Sequence, residues 1–328
     1  MNNDLLLRDY KDSDKQQIID LMNRNFENQQ HLNLKRDIEW WDWKYKNSIF
    51  GEPIIKVMEH RNKIIACRSF WPWILNIRGR ELKCYQPVDA VVDVKYRGQG
   101  VFTKLTNEML IEHKSDIDML FNFSNDQSIN ANIRLGWNYI DQLHWYVKIL
   151  DFKSSFNQMR NNTGFNSLAL ESEDKINFEK ISLVNENADY SKVLKTKRSS
   201  EFLTWRYLQH PQINYGMRII KDKTEQLVYI FEINRNEYGK EMLIVDYFGD
   251  IDLIPNMLSE AEIIAKKYSA GFISLVKKAK IKEKDFFKKL YIKQKRKNLL
   301  VLPLDLSLEQ IGSQYDNWDI FLGMHDSV

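Results

Sequence analysis

The sequence is poor in cysteine and contains no long apolar run. Two cysteines in 328 residues, Cys67 and Cys84, are too few for a disulfide framework, so a reduced cytoplasmic setting is expected. No apolar run approaches the ~20 residues that a membrane-spanning helix needs. The first residues, MNNDLLLRDYKDSDK, contain no signal-peptide core. We therefore expect a cytoplasmic protein with no membrane partner.

Neither sign of charge dominates. The chain has 48 basic and 45 acidic residues, and its net charge of +3 is too small to indicate nucleic acid. The six histidines show no spacing typical of metal ligands, so no metal is expected. Hydrophobic residues make up 43% of the sequence, and the nine tryptophans favour aromatic cores over a flat ligand groove. The length suits two domains.

Glycine is scarce, which makes two closely spaced glycines informative. Of 12 glycines, two stand one residue apart in VVDVKYRGQGVFTKLTNEML, residues 91–110. The β-branched run before them predicts a strand extending to Tyr96, and the apolar spacing after them predicts a helix. Such a turn aims several backbone N–H groups at one point, where the helix dipole adds positive potential. The segment predicts a cradle for a pyrophosphate, with Arg97 in reach of its oxygens; a tight turn without a ligand is the simpler alternative.

The order of the predicted elements divides the chain into two units. Residues 1–150 give strand, helix, antiparallel strands, the glycine turn, helix, strand, helix and strand, which closes one α/β unit. Residues 151–198 are polar and rich in Asn, Ser and Lys, which indicates a linker with some local structure. Residues 199–328 form the second unit.

The two units read as a degenerate tandem repeat. WDWKYKN, around Trp43, is echoed 162 positions later by LTWRYLQHP, around Trp205, and similar strand-like runs follow each copy in the same order. The second copy has YFGDIDLIPN where the glycine turn should fall. Because Asp250 and Asp252 would repel a phosphate, we predict that the second unit does not bind the ligand of the first.

The glycine turn resembles the acyl-CoA-binding motif R/Q-x-x-G-x-G/A of the GNAT superfamily of acetyltransferases. The matching residues are Arg97, Gly98, Gln99, Gly100 and Val101. Phe102 stands where the family usually has glycine or alanine. A second family pattern, N-x-x-A-x-x-L-Y-x-x-x-G-F, places its asparagine eleven residues before its glycine. Asn125 precedes Gly136 by that interval, and Trp137 replaces the phenylalanine. The resemblance covers residues 5–150 well and the second unit only through its element order.

The resemblance implies a fold and an acyl donor. The expected fold is α/β: two tandem GNAT-like units, each a mixed, mostly antiparallel twisted sheet flanked by helices, the second degenerate. Acetyl-CoA would lie where the fourth strand diverges from the fifth, with its pantetheine on the backbone of Val92 and Val94. Its pyrophosphate would bind the amides of residues 98–102, and Asn125 and Asn132 would also contact the cofactor. An amine would then attack the thioester directly.

Candidate acid–base residues come from the strand and from the departures in the second motif. Asp89 and Asp93 would share one face of the strand beside the thioester, and either is a candidate base, with a salt bridge as the alternative role. The N–H of Val92 or Val94 would serve as oxyanion donor. The family often has a tyrosine four residues before the glycine; here it is Asn132, which cannot donate a proton at neutral pH. Tyr139, Tyr146 or water would replace that acid.

The sequence thus favours transfer of an acetyl group from acetyl-CoA to a primary amine of a small polar acceptor. An amino sugar or nucleotide-linked sugar suits the Asn-, Lys- and Ile-rich, bacterial-looking composition. One alternative is a tandem-unit transferase that uses aminoacyl-tRNA, which the basic segment Lys277–Lys297 would suit, although a solvated helix face is the default for that segment. The other is a non-catalytic acyl-CoA sensor or scaffold, which Asn132 would permit. Nucleic acid is disfavoured as a partner, and the oligomeric state is left open.

Overall fold

The computed structural model describes residues 4–26, 33–124, 126–152, 164–178, 192–278 and 281–325. The strands are β1 (Leu5–Asp9), β2 (Ile54–His60), β3 (Lys63–Ile77), β4 (Arg80–Val92), β5 (Met119–Ser124), β6 (Asn138–Ile149), β7 (Asn166–Ser167), β8 (Tyr215–Asp222), β9 (Glu225–Asn236), β10 (Gly239–Gly249), β11 (Phe272–Val276) and β12 (Ile292–Pro303). The α-helices are α1 (Lys15–Phe26), α2 (Ile38–Trp41), α3 (Val101–His113), α4 (Asp126–Arg134), α5 (Ser200–Leu203), α6 (Ile254–Lys267), α7 (Glu283–Lys288) and α8 (Glu309–Gly312).

All these strands join in one mixed sheet. Its order is β1-β2-β3-β4-β5-β12-β6-β11-β10-β9, and both β7 and β8 pair with β9. The β4–β5 and β10–β11 pairs are parallel, and the remaining pairs are antiparallel. The predicted fold class, a mixed and mostly antiparallel sheet flanked by helices, is therefore confirmed.

The two units exchange their last strands. β6, the last strand of the N-terminal unit, pairs with β11 and β12 of the C-terminal unit, in registers such as Tyr146 with Leu275. β12, the last strand of the C-terminal unit, pairs in turn with β5, from Asn298 opposite Ser124 to Pro303 opposite Met119. Each half of the sheet is therefore completed by the other half, and the full chain is the form to test in any experiment.

The repeated tryptophan motif lies at the centre of this exchange. In each copy a short helix, α2 or α5, runs into a π-helical turn, Asp42–Lys46 in the first and Thr204–Leu208 in the second. The indole N–H of Trp43 donates to the Trp205 carbonyl over 2.8 Å, and the Trp205 indole donates to the Trp43 carbonyl over 3.0 Å. The two rings stack at 5.6 Å. This reciprocal contact relates the two copies of the motif and supports the tandem repeat.

Helices cover both faces of the sheet. α1 and the tryptophan motifs pack on one face with Trp71 and Trp73, and Leu105 of α3 packs on the other with Ala66. Most of the nine tryptophans are buried, as expected for aromatic cores. In the region predicted as a linker, β7 pairs with β9, and the buried Asp174 forms ion pairs with residues of the second unit.

Candidate active site

A cleft opens in the sheet where β4 and β5 separate. The two strands pair only at Cys84 with Met119 and at Tyr85 with Leu120. Beyond these pairs β5 follows β12, while β4 stays paired with β3 as far as Val92. Among the described residues, the edge of β4 that faces the gap therefore has no strand partner after Tyr85. We call this gap the β4–β5 cleft; it lies at the divergence of the fourth and fifth strands that the family resemblance implies.

The glycine turn borders the cleft and leads directly into α3. Gly98 and Gly100 both have φ of 74°, in the left-handed region that favours glycine, and Gly100 is the N-cap of α3. A Cβ atom built at either glycine meets no atom within 4 Å. The need for glycine is therefore conformational, and the space beside the turn is open to a ligand.

The side chains of Arg97 and Gln99 hold the turn in place through hydrogen bonds to neighbouring residues. Arg97 Nε donates to the carbonyl of Val92 over 3.1 Å, and Nη2 donates to the side-chain oxygen of Asn25 in α1 over 2.7 Å. Gln99 donates to the Lys95 carbonyl over 3.1 Å. The structure thus gives Arg97 an anchoring role beside the phosphate contact expected from the sequence, which stays a prediction.

The strand before the turn is shorter than predicted. β4 ends at Val92, and residues 94–96 form a 3₁₀ turn capped by Asp93, whose carboxylate accepts from Lys95 N over 3.0 Å. An aspartate that caps the next turn competes with continued strand pairing, which explains why the β-branched Val94 does not extend the strand. Val94 is 67% exposed in this turn. The expectation that Asp93 shares a strand face with Asp89 is therefore wrong, although their catalytic roles stay predictions.

Asp89 occupies a bulge of β4 and belongs to a buried charge pair. Asp89 and Ala90 together stand opposite Arg68 of β3, and Asp89 has φ of 48°. Its Oδ2 accepts from Lys44 Nζ over 2.6 Å and also from the hydroxyl of Tyr45. The side chain of Lys44 is 0% exposed and that of Asp89 is 5% exposed. Burial, and then the charge of Asp89, raise the pKa of Tyr45 well above its usual value.

The second unit has a counterpart of this pair. Tyr207, the repeat partner of Tyr45, donates to Asp246 in β10 over 3.2 Å, and Asp246 also forms ion pairs with Arg198 and Lys278. Asp250 caps the turn after β10 and accepts from Asp252 N over 2.8 Å. A buried acid is therefore common to both units, whereas the glycine turn occurs in the first alone. In the sequence, each of these acids interrupts an apolar strand: Asp89 in PVDAVV and Asp246 in LIVDYF.

The candidate acids and the remaining amide have different surroundings. Asn132 is buried at the end of α4 and donates to Ser124 Oγ over 3.0 Å. Tyr139 is 44% exposed on β6, whereas Tyr146 is buried against Phe286 in the core of the second unit. Asn125 lies outside the described residues.

The C-terminal segment, residues 323–325, bridges the two separating strands. Gln86, the first residue of β4 after the β4–β5 pairs, donates to the Met324 carbonyl over 2.8 Å. The ring of His325 stacks at 5.7 Å on Phe123 of β5. Arg206, the repeat partner of Lys44, donates to the carbonyl of Gly323 over 2.7 Å. The second unit therefore builds one wall at the narrow end of the cleft of the first unit.

Two further clusters of charged side chains lie outside the cleft within the described residues. Glu171, Glu173 and Asp174 come together, but the ammonium group of Lys267 lies among them, at 2.7, 2.5 and 2.7 Å, and pairs with all three. In the basic segment, Lys277 is buried and donates to the Ile281 carbonyl over 3.1 Å. None of the helices in the described ranges is long and apolar enough to cross a membrane.

Comparison with known proteins supports the family resemblance. Residues 7–140 match the family model of the acetyltransferase (GNAT) domain. The chain is similar in structure to a GCN5-related N-acetyltransferase from Anabaena variabilis, with a TM-score of 0.58 and 11% identity over 92% of this chain and 73% of the other. A probable N-acyltransferase from Enterococcus faecalis gives a TM-score of 0.59 and 12% identity over 92% and 73%.

A third similar structure carries a bound acyl-CoA. The N-myristoyltransferase of Saccharomyces cerevisiae with bound myristoyl-CoA gives a TM-score of 0.53 and 10% identity over 92% of this chain and 83% of the other. No curated protein matches the sequence. Residues 7–140 thus match a GNAT domain, and the chain as a whole is similar in fold to these three proteins.

Proposed function

We propose that this protein transfers a short acyl group, acetyl in the simplest case, from a CoA thioester to a primary amine of a small polar acceptor. An amino sugar or nucleotide-linked sugar is the acceptor class that we favour. One observation carries the proposal: the β4–β5 cleft opens beside a glycine turn that caps α3. The unpaired edge of β4 offers backbone groups to a pantetheine, and the N-terminus of α3 offers N–H groups and a positive dipole to a pyrophosphate.

The proposed reaction is a direct attack. The amine nitrogen attacks the thioester carbon, the C–S bond breaks, and CoA leaves as a thiolate that takes up a proton. A backbone N–H at Val92 would stabilise the oxyanion, because a fixed donor there needs no reorganisation as charge develops. Water or the half-exposed Tyr139 would protonate the thiolate, since Asn132 cannot.

Asp89 is the base that the proposal favours. Both of its recorded contacts, from Lys44 and Tyr45, fall on Oδ2. That arrangement leaves Oδ1 to accept a proton from the amine, directly or through one water. A positioned base contributes about 10²- to 10⁴-fold to rate, so Asp89→Asn should lower kcat by that factor.

The test is release of free thiol from acetyl-CoA in the presence of single amines. The panel contains amino sugars, nucleotide-linked amino sugars, polyamines and amino acids, and acyl-amine products are identified by mass spectrometry. We expect turnover with at least one amine above the rate of hydrolysis. Turnover with an aminoacyl-tRNA donor and none with any acyl-CoA would contradict the proposal.

A non-catalytic acyl-CoA sensor is the second candidate. The observation that favours it is Asn132, which stands at the position of the family's tyrosine and is tied to Ser124. Tight binding of acetyl-CoA with no thiol release across the whole amine panel would select this candidate over the transferase.

A further inference from the structure

Arg68 of β3 is a buried cation that the described protein does not satisfy. The residue is 4% exposed, and its Nε is fully enclosed without a hydrogen-bond partner. Among the described residues, no hydrogen bond or ion pair involves its guanidinium group. Its recorded contact is the ring of Phe102, whose centroid lies 4.9 Å from Cζ. Burial lowers the pKa of Arg68 to about 10, and the charge of Asp89 opposes that effect.

The neighbouring acids are already committed to other cations. Lys56, which stands opposite Arg68 on β2, pairs with Asp9 and Glu112 at 2.7 Å each. Asp89 lies in the bulge of β4, the strand that pairs with the other edge of β3, and it forms an ion pair with Lys44. The three cations and three acids named here balance in number, but none of the acids forms an ion pair with the guanidinium group of Arg68.

A buried charge without a partner is strongly unfavourable, so its presence calls for a reason. Five N–H donors in a fixed planar fork match the two oxygens of a carboxylate. Phe102, which replaces the small residue usual in the GNAT motif, packs on this fork at the start of α3. The departure at Phe102 and the unsatisfied Arg68 therefore belong to the same feature.

We propose that Arg68 binds a carboxylate carried by the acyl group of the donor, so that the donor is the CoA thioester of a dicarboxylic acid. The inference rests on the proposed acyl-CoA function and names its donor class. Register supports the acyl group over the CoA phosphates. Along β4, Arg68 lies opposite Asp89 and Ala90, where the thioester is expected, and the glycine turn follows the end of β4 at Val92. The contact of Arg68 with Phe102 at the start of α3 makes the CoA phosphates the competing anion, which the titration below distinguishes.

The chemistry of transfer is unchanged by the extra carboxylate. The amine attacks the thioester carbon, the C–S bond breaks, and the proton lost by the amine goes through Asp89 to solvent or to the thiolate. The distal carboxylate stays ionised on Arg68 throughout. The product is an amide that ends in a free carboxylate.

The experiment titrates CoA, acetyl-CoA and succinyl-CoA into the full chain and into Arg68→Met. The unaltered protein should bind succinyl-CoA about 10- to 100-fold more tightly than acetyl-CoA, the effect of charge-assisted hydrogen bonds. Arg68→Met should remove this preference, and its ligand-free form should unfold at the same or a higher temperature, because an unpaired buried charge has been removed. Lys56→Met is the matched control: it removes a buried but paired cation and should leave the preference intact.

The remaining outcomes are distinct. Equal binding of succinyl-CoA and acetyl-CoA by the unaltered protein would overturn the inference and leave the proposed function standing. An equal loss of affinity for CoA, acetyl-CoA and succinyl-CoA in Arg68→Met would assign the anion to the CoA phosphates and also overturn it. If none of the three ligands binds, the proposed function itself fails. A lowered unfolding temperature of Arg68→Met with the preference retained would show a purely structural role.

Discussion

The charge pair between Lys44 and Asp89 allows catalysis and stability to be separated. Asp89→Asn keeps the size of the side chain and tolerates the left-handed backbone of the bulge, but it removes the negative charge that pairs with the buried Lys44. Breaking one side of a buried pair costs about 3–5 kcal/mol. An unfolding entropy of about 2.1 cal/mol/K per residue gives about 0.7 kcal/mol/K for 328 residues. The variant should therefore melt roughly 4–7 °C lower.

The double variant Lys44→Met with Asp89→Asn separates the two roles. Removing both charges with little change in volume should be close to neutral, so most of the lost unfolding temperature should return. If Asp89 is the base, thiol release should remain depressed about 10²- to 10⁴-fold in the same protein. Recovery of activity together with stability would refute the catalytic role, and a double variant as unstable as Asp89→Asn would refute the charge argument.

The second unit supplies a matched control for this series. Asp246→Asn disrupts the corresponding buried network with Tyr207, Arg198 and Lys278, in the unit without a glycine turn. It should lower the unfolding temperature to a similar degree but leave kcat close to that of the unaltered protein. Calorimetry and the thiol-release assay on the same preparations measure both quantities.

Two further predictions concern stability. Trp43→Phe or Trp205→Phe leaves one buried carbonyl without its indole donor and should cost about 1–3 kcal/mol in urea unfolding; a double variant that is strictly additive would show that the two contacts are independent. His210 accepts from two backbone N–H groups, and burial together with the charge of Arg206 lowers its pKa well below 6.5. The unfolded chain binds the proton first as pH falls, so stability should drop by about 1.4 kcal/mol per pH unit below about pH 6.5. In His210→Asn the free energy of unfolding should not show this drop. Urea unfolding at pH 7 and at pH 5.5 measures it, and an equal drop in the variant and the unaltered protein would contradict the assignment.

For the first unit, local sequence patterns predict most of the secondary structure. The order of elements and the glycine turn follow from periodicity and from backbone conformations that glycine alone adopts readily, which neighbouring residues determine. The repeat of the tryptophan motif predicted the tandem arrangement. The same local view failed at the end of β4, where the side chain of Asp93 caps a turn that the β-branched residues around it conceal.

The long-range features could not be read from a single sequence. Periodicity indicates that β6 and β12 are strands, but it does not indicate which strand each one pairs with. The sequence therefore does not predict their exchange between the units. The pair of Lys44 and Asp89 joins residues 45 positions apart, and Gln86 meets Met324 across 238. Neither contact has a sequence spacing that a motif would reveal.

The most direct test of the central claim, that the glycine turn and the β4–β5 cleft bind acyl-CoA, is calorimetric titration of acetyl-CoA and CoA. The unaltered protein should bind with micromolar affinity, equivalent to about 8 kcal/mol. Gly100→Asp should abolish binding by placing a carboxylate in the cradle. Gly79→Asp should not, since Gly79 has a similar φ of 80° and equally open space in the turn between β3 and β4, away from the cleft. Unchanged affinity in Gly100→Asp, or no binding to the unaltered protein at millimolar CoA, would contradict the account.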